Sequence, residues 1–144
     1  MERFIKAQNK VYETVIKELK DEYKETHWMW YIFPQIIGLG RSDIAVYYSI
    51  NSLDEFNSYI NNKTLMSRYL ECCNILLDSS TIYPEDIFGD IDAMKLQSSL
   101  TLFYLLDKKN EALYKKLLDK FYDGELDEKT IKIINNMKEL ENEK

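Results

Sequence analysis

The only histidine of the chain, His27, opens the run His27-Trp28-Met29-Trp30-Tyr31-Ile32-Phe33-Pro34-Gln35. An imidazole titrates near neutrality, which makes His27 the candidate general acid or base, with Glu22 and Glu25 close enough in sequence to orient its ring. Trp28 and Trp30 offer flat faces on which a base or sugar can stack, and the Gln35 amide can read a polar edge. A second group follows sixty residues on. In helical geometry Asp92, Lys95 and Ser99 share one face through steps of three and four, and Ser98 and Thr101 form the neighbouring stripe. A lysine among hydroxyls suits phosphate or ribose oxygens. Arg3 is one of only three arginines among nineteen basic residues, and its planar two-pronged guanidinium fits the same chemistry. Each residue also has a bland reading. The rings can be core, Asp92 and Lys95 can pair on the surface, and the hydroxyls can bond to carbonyls four residues back.

Several other chemistries are absent. Gly38-Leu39-Gly40-Arg41-Ser42-Asp43 begins like a dinucleotide fingerprint, but Asp43 stands where the third glycine belongs and no strand–helix–strand pattern surrounds it. No Walker pattern occurs either. The loop glycines and Arg41 could favour an anion at the following helix start, although Asp43 there would repel it; a turn with a serine cap is the plainer account. Cys72 and Cys73 are adjacent, so they are poorly placed to staple the fold and read as reduced thiols. With one histidine they cannot complete a usual zinc set. No metal site is expected, and no cofactor can be named.

The elements that must position these residues read as helices. From Phe4, apolar residues at Ala7, Val11, Val15, Leu19 and Tyr23 recur every three or four positions, predicting a first amphipathic helix. By periodicity the aromatic run fits a buried strand or a buried helical turn; the favoured reading is a short helix that ends near Phe33 and runs into an extended loop, because Pro34 pushes the preceding residue out of helical geometry. Ser42 is placed to cap a helix over 43–50, and Ser52 with Glu55 has capping-box spacing. Thr64 is the expected cap of a helix carrying Leu65, Tyr69, Cys73 and Leu76. Pro84 falls in a connecting loop. A central helix runs from Asp90 to Leu106, another from Asn110 to Tyr122 with Gly124 just past its end, and a last one from Asp127 to about Leu140. The expectation is an all-α single domain over 1–140, of six to eight helices with one aromatic loop, and a frayed charged tail at 141–144.

At 144 residues the chain is one domain by size, with 45% hydrophobic and 31% charged residues. A net charge of −6 argues against nucleic acid and anionic membranes as partners, since phosphate binding needs clustered cations. The apolar run over 28–33 is far too short to span a bilayer, which takes about 20 residues. Met1-Glu2-Arg3-Phe4 lacks the apolar core of a signal peptide. The expected location is the cytoplasm.

The residues also carry a family likeness. Arg3-Phe4 with Ala7-Gln8, the run from His27 to Gln35 with Gly38-Leu39-Gly40 and Ser42, and Phe88-Gly89 with Asp92, Lys95 and Ser98-Ser99-Leu100-Thr101-Leu102-Phe103 resemble a bacterial family numbered 1810 among domains of unknown function. The likeness runs from about Arg3 to at least Phe103, with Thr26 in place of an expected serine. It implies an all-helical fold and brings no established activity. Some members are labelled calpastatin-like, which implies a disordered inhibitor and does not suit this composition. Tyr59 to Glu71 with Phe88-Gly89 is loosely similar to a helical family proposed to process ADP-ribose derivatives, although that family's aromatic-proline-tryptophan order is not reproduced. That similarity implies a nucleotide-like ligand.

Two functions follow as expectations. One is the binding or processing of a small nucleotide-like or phosphorylated molecule in a cleft between the aromatic loop and the helix from Asp90 to Leu106. It would use Arg3, Trp28, Trp30, Gln35, Lys95, Ser98, Ser99 and Thr101, with His27 as proton carrier. The alternative is a non-enzymatic interaction or regulatory module whose aromatic motif is core. Oligomeric state is not encoded in any motif.

Overall fold

The computed structural model describes residues 1–143. Among these, eight α-helices form the fold and there is no β-strand; the sole β-type pairing is an isolated parallel bridge between Ile36 and Ile50. None of the helices is long and apolar enough to cross a membrane.

Helix α1 (Glu2–Lys20) buries Phe4, Gln8, Val15, Glu18 and Leu19 along one stripe. It stops short of the expected apolar position at Tyr23, which is 60% exposed. The reason is local: Glu22 takes a left-handed conformation at φ 56°, which a helix cannot continue through. Its carboxylate accepts from the Ser80 hydroxyl at 2.8 Å and from the Thr81 N–H at 3.2 Å. Helix α2 (Met29–Ile32) is a single turn, closed by Phe33 at φ −120°, ψ 74° ahead of Pro34. The loop beyond it is tied down by two backbone bonds, Ile50 N–H to the Gln35 carbonyl at 2.8 Å and Ile37 N–H to the Ile50 carbonyl at 2.9 Å.

Ser42 caps the short α3 (Asp43–Tyr47), and Ser52 caps α4 (Leu53–Ile60), each accepting from a backbone N–H three residues on. The Glu55 carboxylate does not close the box at Ser52; it accepts instead from the Asn51 N–H and from Arg3. Helix α5 (Lys63–Leu77) is capped by Asn62, whose side-chain oxygen accepts from the Leu65 N–H at 3.0 Å, rather than by Thr64. Asparagine takes the cap because it sits one position before the first helical residue, where Thr64 is already inside the turn.

Helix α6 (Pro84–Leu106) begins six residues earlier than the expected start at Asp90. Pro84 occupies its first helical position, where the missing N–H costs nothing. Gly89, at φ 75° and ψ 173°, divides it into two arms, 84–88 and 90–106. That conformation is essentially restricted to glycine. After a 3₁₀ turn (Lys108–Asn110) come α7 (Glu111–Tyr122) and α8 (Glu128–Asn142), the latter capped by Asp127. Most of the tail expected at 141–144 therefore belongs to or directly follows α8, and Lys144 lies outside the described residues.

The longer arm of α6 packs on α7 and α8, α1 packs on α5 and α2, and α5 joins the two halves through α7 and α4. Phe103 lies at the centre. Its ring stacks on Tyr69 at 3.8 Å and meets Phe56, Tyr59 and Tyr114 edge-on at 4.9–5.9 Å. Such pairs add about 0.5–1.5 kcal/mol each beyond the area they bury. Trp28, Phe33 and Phe88 form a second aromatic cluster at 6.2–6.3 Å.

Candidate functional site

One cleft of about 250 Å³ draws on two distant segments of the chain. Trp30, Gln35, Ile36, Gly38, Leu39 and Gly40 come from the aromatic loop, and Ile91, Met94, Lys95 and Ser98 come from α6. Ala45, Tyr48, Ser49, Asp127 and Lys129 complete the lining. The loop can lie against α3 only because Gly40 has no side chain: a Cβ there would stand 2.7 Å from that of Ala45.

A polar chain fixes the cleft from behind. Glu18 is buried on α1 and its carboxylate accepts from the Trp28 indole N–H at 2.9 Å, the Thr26 hydroxyl at 2.7 Å, and the N–H groups of Glu25 and Thr26. Burial alone would raise its pKa, but these hydrogen bonds outweigh it and hold the carboxyl below the usual range. Lys24 continues the chain. Its ammonium, on a side chain only 6% exposed, donates to the Thr26 carbonyl at 2.6 Å and pairs with Asp92 at 2.8 Å. The other Asp92 oxygen lies 3.5 Å from the Lys95 ammonium, which in turn sits 4.3 Å from the centre of the Trp30 ring. The order from α1 to the cleft is thus Glu18, Thr26, Lys24, Asp92, Lys95, Trp30.

Of the residues singled out by type and spacing, Trp30, Gln35, Lys95 and Ser98 line this cleft together. Among the described residues, neither the Gln35 amide nor the Lys95 ammonium is used up in a short hydrogen bond to the protein. The Ser98 hydroxyl lies 3.2 Å from the Met94 carbonyl and 3.1 Å from the Asp127 carboxylate. The others stand elsewhere. Trp28 is 0% exposed and packs in the core. The Ser99 hydroxyl is buried 2.9 Å from the Tyr69 hydroxyl. Thr101 donates to the Gln97 carbonyl at 2.8 Å and accepts from the Asp127 N–H at 2.9 Å, tying α6 to the start of α8. Arg3 spends its guanidinium on the Tyr47 and Ser49 carbonyls and on Glu55 at 2.9 Å, fastening α3 and α4 to α1. His27 is exposed and does not line the cleft. Glu22 has turned to Ser80, so it does not orient the His27 ring.

Seven lining residues outside the aromatic loop had no part in the expected site: Ala45, Tyr48, Ser49, Ile91, Met94, Asp127 and Lys129. The signal for two of them was present. Ile91, Met94, Lys95 and Ser98 follow steps of three and four on α6, the face next to the Asp92–Lys95–Ser99 stripe read from the sequence. Ala45, Tyr48, Ser49, Asp127 and Lys129 reach the cleft through tertiary packing alone. Among the described residues no group of three or more His, Cys, Asp or Glu side chains could hold a metal ion. Cys72 and Cys73 are free and buried, and burial pushes the Cys72 thiol up to about 12.

Residues 1–134 match the family model described as "Protein of unknown function (DUF1810)". The crystal structure of the conserved hypothetical protein Rv1873 from Mycobacterium tuberculosis is similar, with a TM-score of 0.88 and 39% sequence identity over 92% of this chain and 94% of that one. No curated protein matches. The chain belongs to the DUF1810 family.

Proposed function

We propose that this DUF1810 protein binds a small phosphorylated, nucleotide-like molecule in the cleft between the aromatic loop and α6. One observation carries the reading: an indole, an uncommitted amide, a loosely held ammonium and a hydroxyl converge on a single space from segments sixty residues apart. Such convergence of a few polar groups in a mainly apolar concavity is the usual build of a small-molecule site. Trp30 offers the stacking face, Gln35 the polar edge, Lys95 and Lys129 the counter-charge for phosphate, and Asp127 with Ser98 the partners for sugar hydroxyls. At about 250 Å³ the space lies just below the usual range of ligand pockets and suits a mononucleotide better than a dinucleotide. Binding is the activity proposed, because Ser98 already meets two acceptors and His27 lies outside the lining.

A thermal-shift series with 5′-mononucleotides, sugar phosphates and inorganic phosphate tests this. A ligand at a hundred times its dissociation constant adds about 2.7 kcal/mol, enough to raise the midpoint by about 5–12 °C. The shift should vanish in Trp30→Ala and fall to about half in Lys95→Ala, while their own midpoints stay close to that of the wild type. No shift with any compound, or one that neither substitution reduces, would refute the reading. A protein-interaction role has one observation in its favour, the rim residues Ile91 and Met94, exposed by 72% and 69%. Their replacement by Ser would then abolish partner capture while leaving phosphate compounds without effect.

A further inference from the structure

We infer that the molecule bound here must carry a phosphate and a flat ring together, because Lys95 covers the Trp30 face until an anion draws it away. The inference rests on the binding reading above and narrows its substrate class.

The ammonium of Lys95 lies 4.3 Å from the Trp30 ring centre, and its ion pair with Asp92 is long, at 3.5 Å. Asp92 is held more tightly from the other side, by Lys24 at 2.8 Å, and Lys24 is itself fixed to the Thr26 carbonyl. Asp92 is therefore an anchored carboxylate shared between two ammonium groups. Lys95 has the weaker share, so its place over the indole is held by a loose ion pair and by the ring itself.

A cation over an indole is favoured by about two- to fivefold in an equilibrium constant at a partly exposed site. A neutral ring that stacks on the same face must displace the ammonium, and it gives up that factor with nothing in return. A phosphate changes the balance. It forms a charge-assisted bond to Lys95, moves the ammonium off the indole and leaves the face open to a ring on the same molecule. Lys95 and Ser98 line one cleft from one helix, so the displaced ammonium stays inside the site. The two halves of the ligand therefore assist each other. Phosphorylated flat heterocycles, of which 5′-mononucleotides are the simplest, are selected over nucleosides and over sugar phosphates.

Calorimetric titration of the full chain with adenosine 5′-monophosphate, adenosine and ribose 5-phosphate tests the coupling, repeated on Lys95→Ala. The wild type should bind the mononucleotide at least about tenfold more tightly than either part. Lys95→Ala should weaken the mononucleotide by about tenfold yet tighten adenosine by about two- to fivefold, because the ring face is then bare. The gain for adenosine is the decisive sign, since a variant merely damaged would lose all three. Lys95→Gln, which keeps more of the side-chain stem, should move both affinities in the same directions if the alanine variant folds poorly. Adenosine bound no more tightly by either variant, with mononucleotide binding intact in the wild type, would overturn the masking role and leave the cleft. No binding of any of the three compounds to the wild type would overturn both.

Discussion

Trp28 stands just before the single turn of α2 and Trp30 within it, and the two indoles divide between core and cleft. Trp28→Ala removes a fully buried indole and, with it, one hydrogen-bond donor to the Glu18 carboxylate, so a loss of about 3–5 kcal/mol is expected in urea unfolding. Trp30→Ala should cost about 1 kcal/mol or less, as for a partly exposed site outside the core. Near-equal losses would place both rings in the core. The residue types that meet in the cleft were legible in the sequence, because indole, amide, lysine and serine all stood out by kind and spacing. Which tryptophan would face it was not. A six-residue apolar run fits a strand or a helical turn equally well, and the two geometries assign the rings differently. The fates of Ser99, Thr101 and Arg3 were hidden for another reason. Their partners, Tyr69, Asp127 and Glu55, lie between 26 and 52 residues away in sequence, and no local pattern announces such pairs.

Among the elements, α6 depends most on one position. Its arms meet at Gly89, whose backbone is left-handed although a Cβ there would meet nothing within 4 Å. The demand is thus conformational rather than steric crowding. Gly89→Ala should lower stability by about 1–3 kcal/mol, measured as a shift in the urea midpoint with an unchanged slope. A neutral result would mean that the arms can fuse into one straight helix without disturbing the core. The long arm was legible from its apolar content, and the short arm was not, because Pro84 reads as a loop residue unless it is recognised as a first helical position. The serine caps at 42 and 52 followed from spacing alone. The capping role of Asn62 could be mistaken for Thr64, two positions on, because boundary residues of similar chemistry crowd together there.

At the scale of the whole molecule, the acidic balance of −6 meets a fold whose first helix is tied to its aromatic loop by one carboxylate. The hydrogen bonds that hold Glu18 below its ordinary value of 4.5 favour the charged form in the folded state. Its contribution is therefore fully present above the unfolded value and is lost as the pH falls through the lower, folded one. Glu18→Gln should destabilise by about 1–3 kcal/mol at pH 7, and the gap to wild type should close progressively below about pH 4.5. A gap constant from pH 7 to pH 3 would show that the carboxylate acts through shape alone. The all-helical class was readable from the periodicity, since nearly every apolar stripe repeats at three or four residues. The closure of the loop was not, because it rests on the lone Ile36–Ile50 bridge and on charges drawn from three helices.

The same pair of tryptophans gives the protein a built-in optical reporter. One indole is fully buried, hydrogen-bonded to Glu18, and the other is partly exposed in the cleft beneath Lys95, so their emission is expected to divide into a blue, shielded component and a red, reachable one. A compound that settles in the cleft registers in the red component alone, while loosening of the core registers in the blue. Occupancy and integrity can thus be followed separately in a single unlabelled sample.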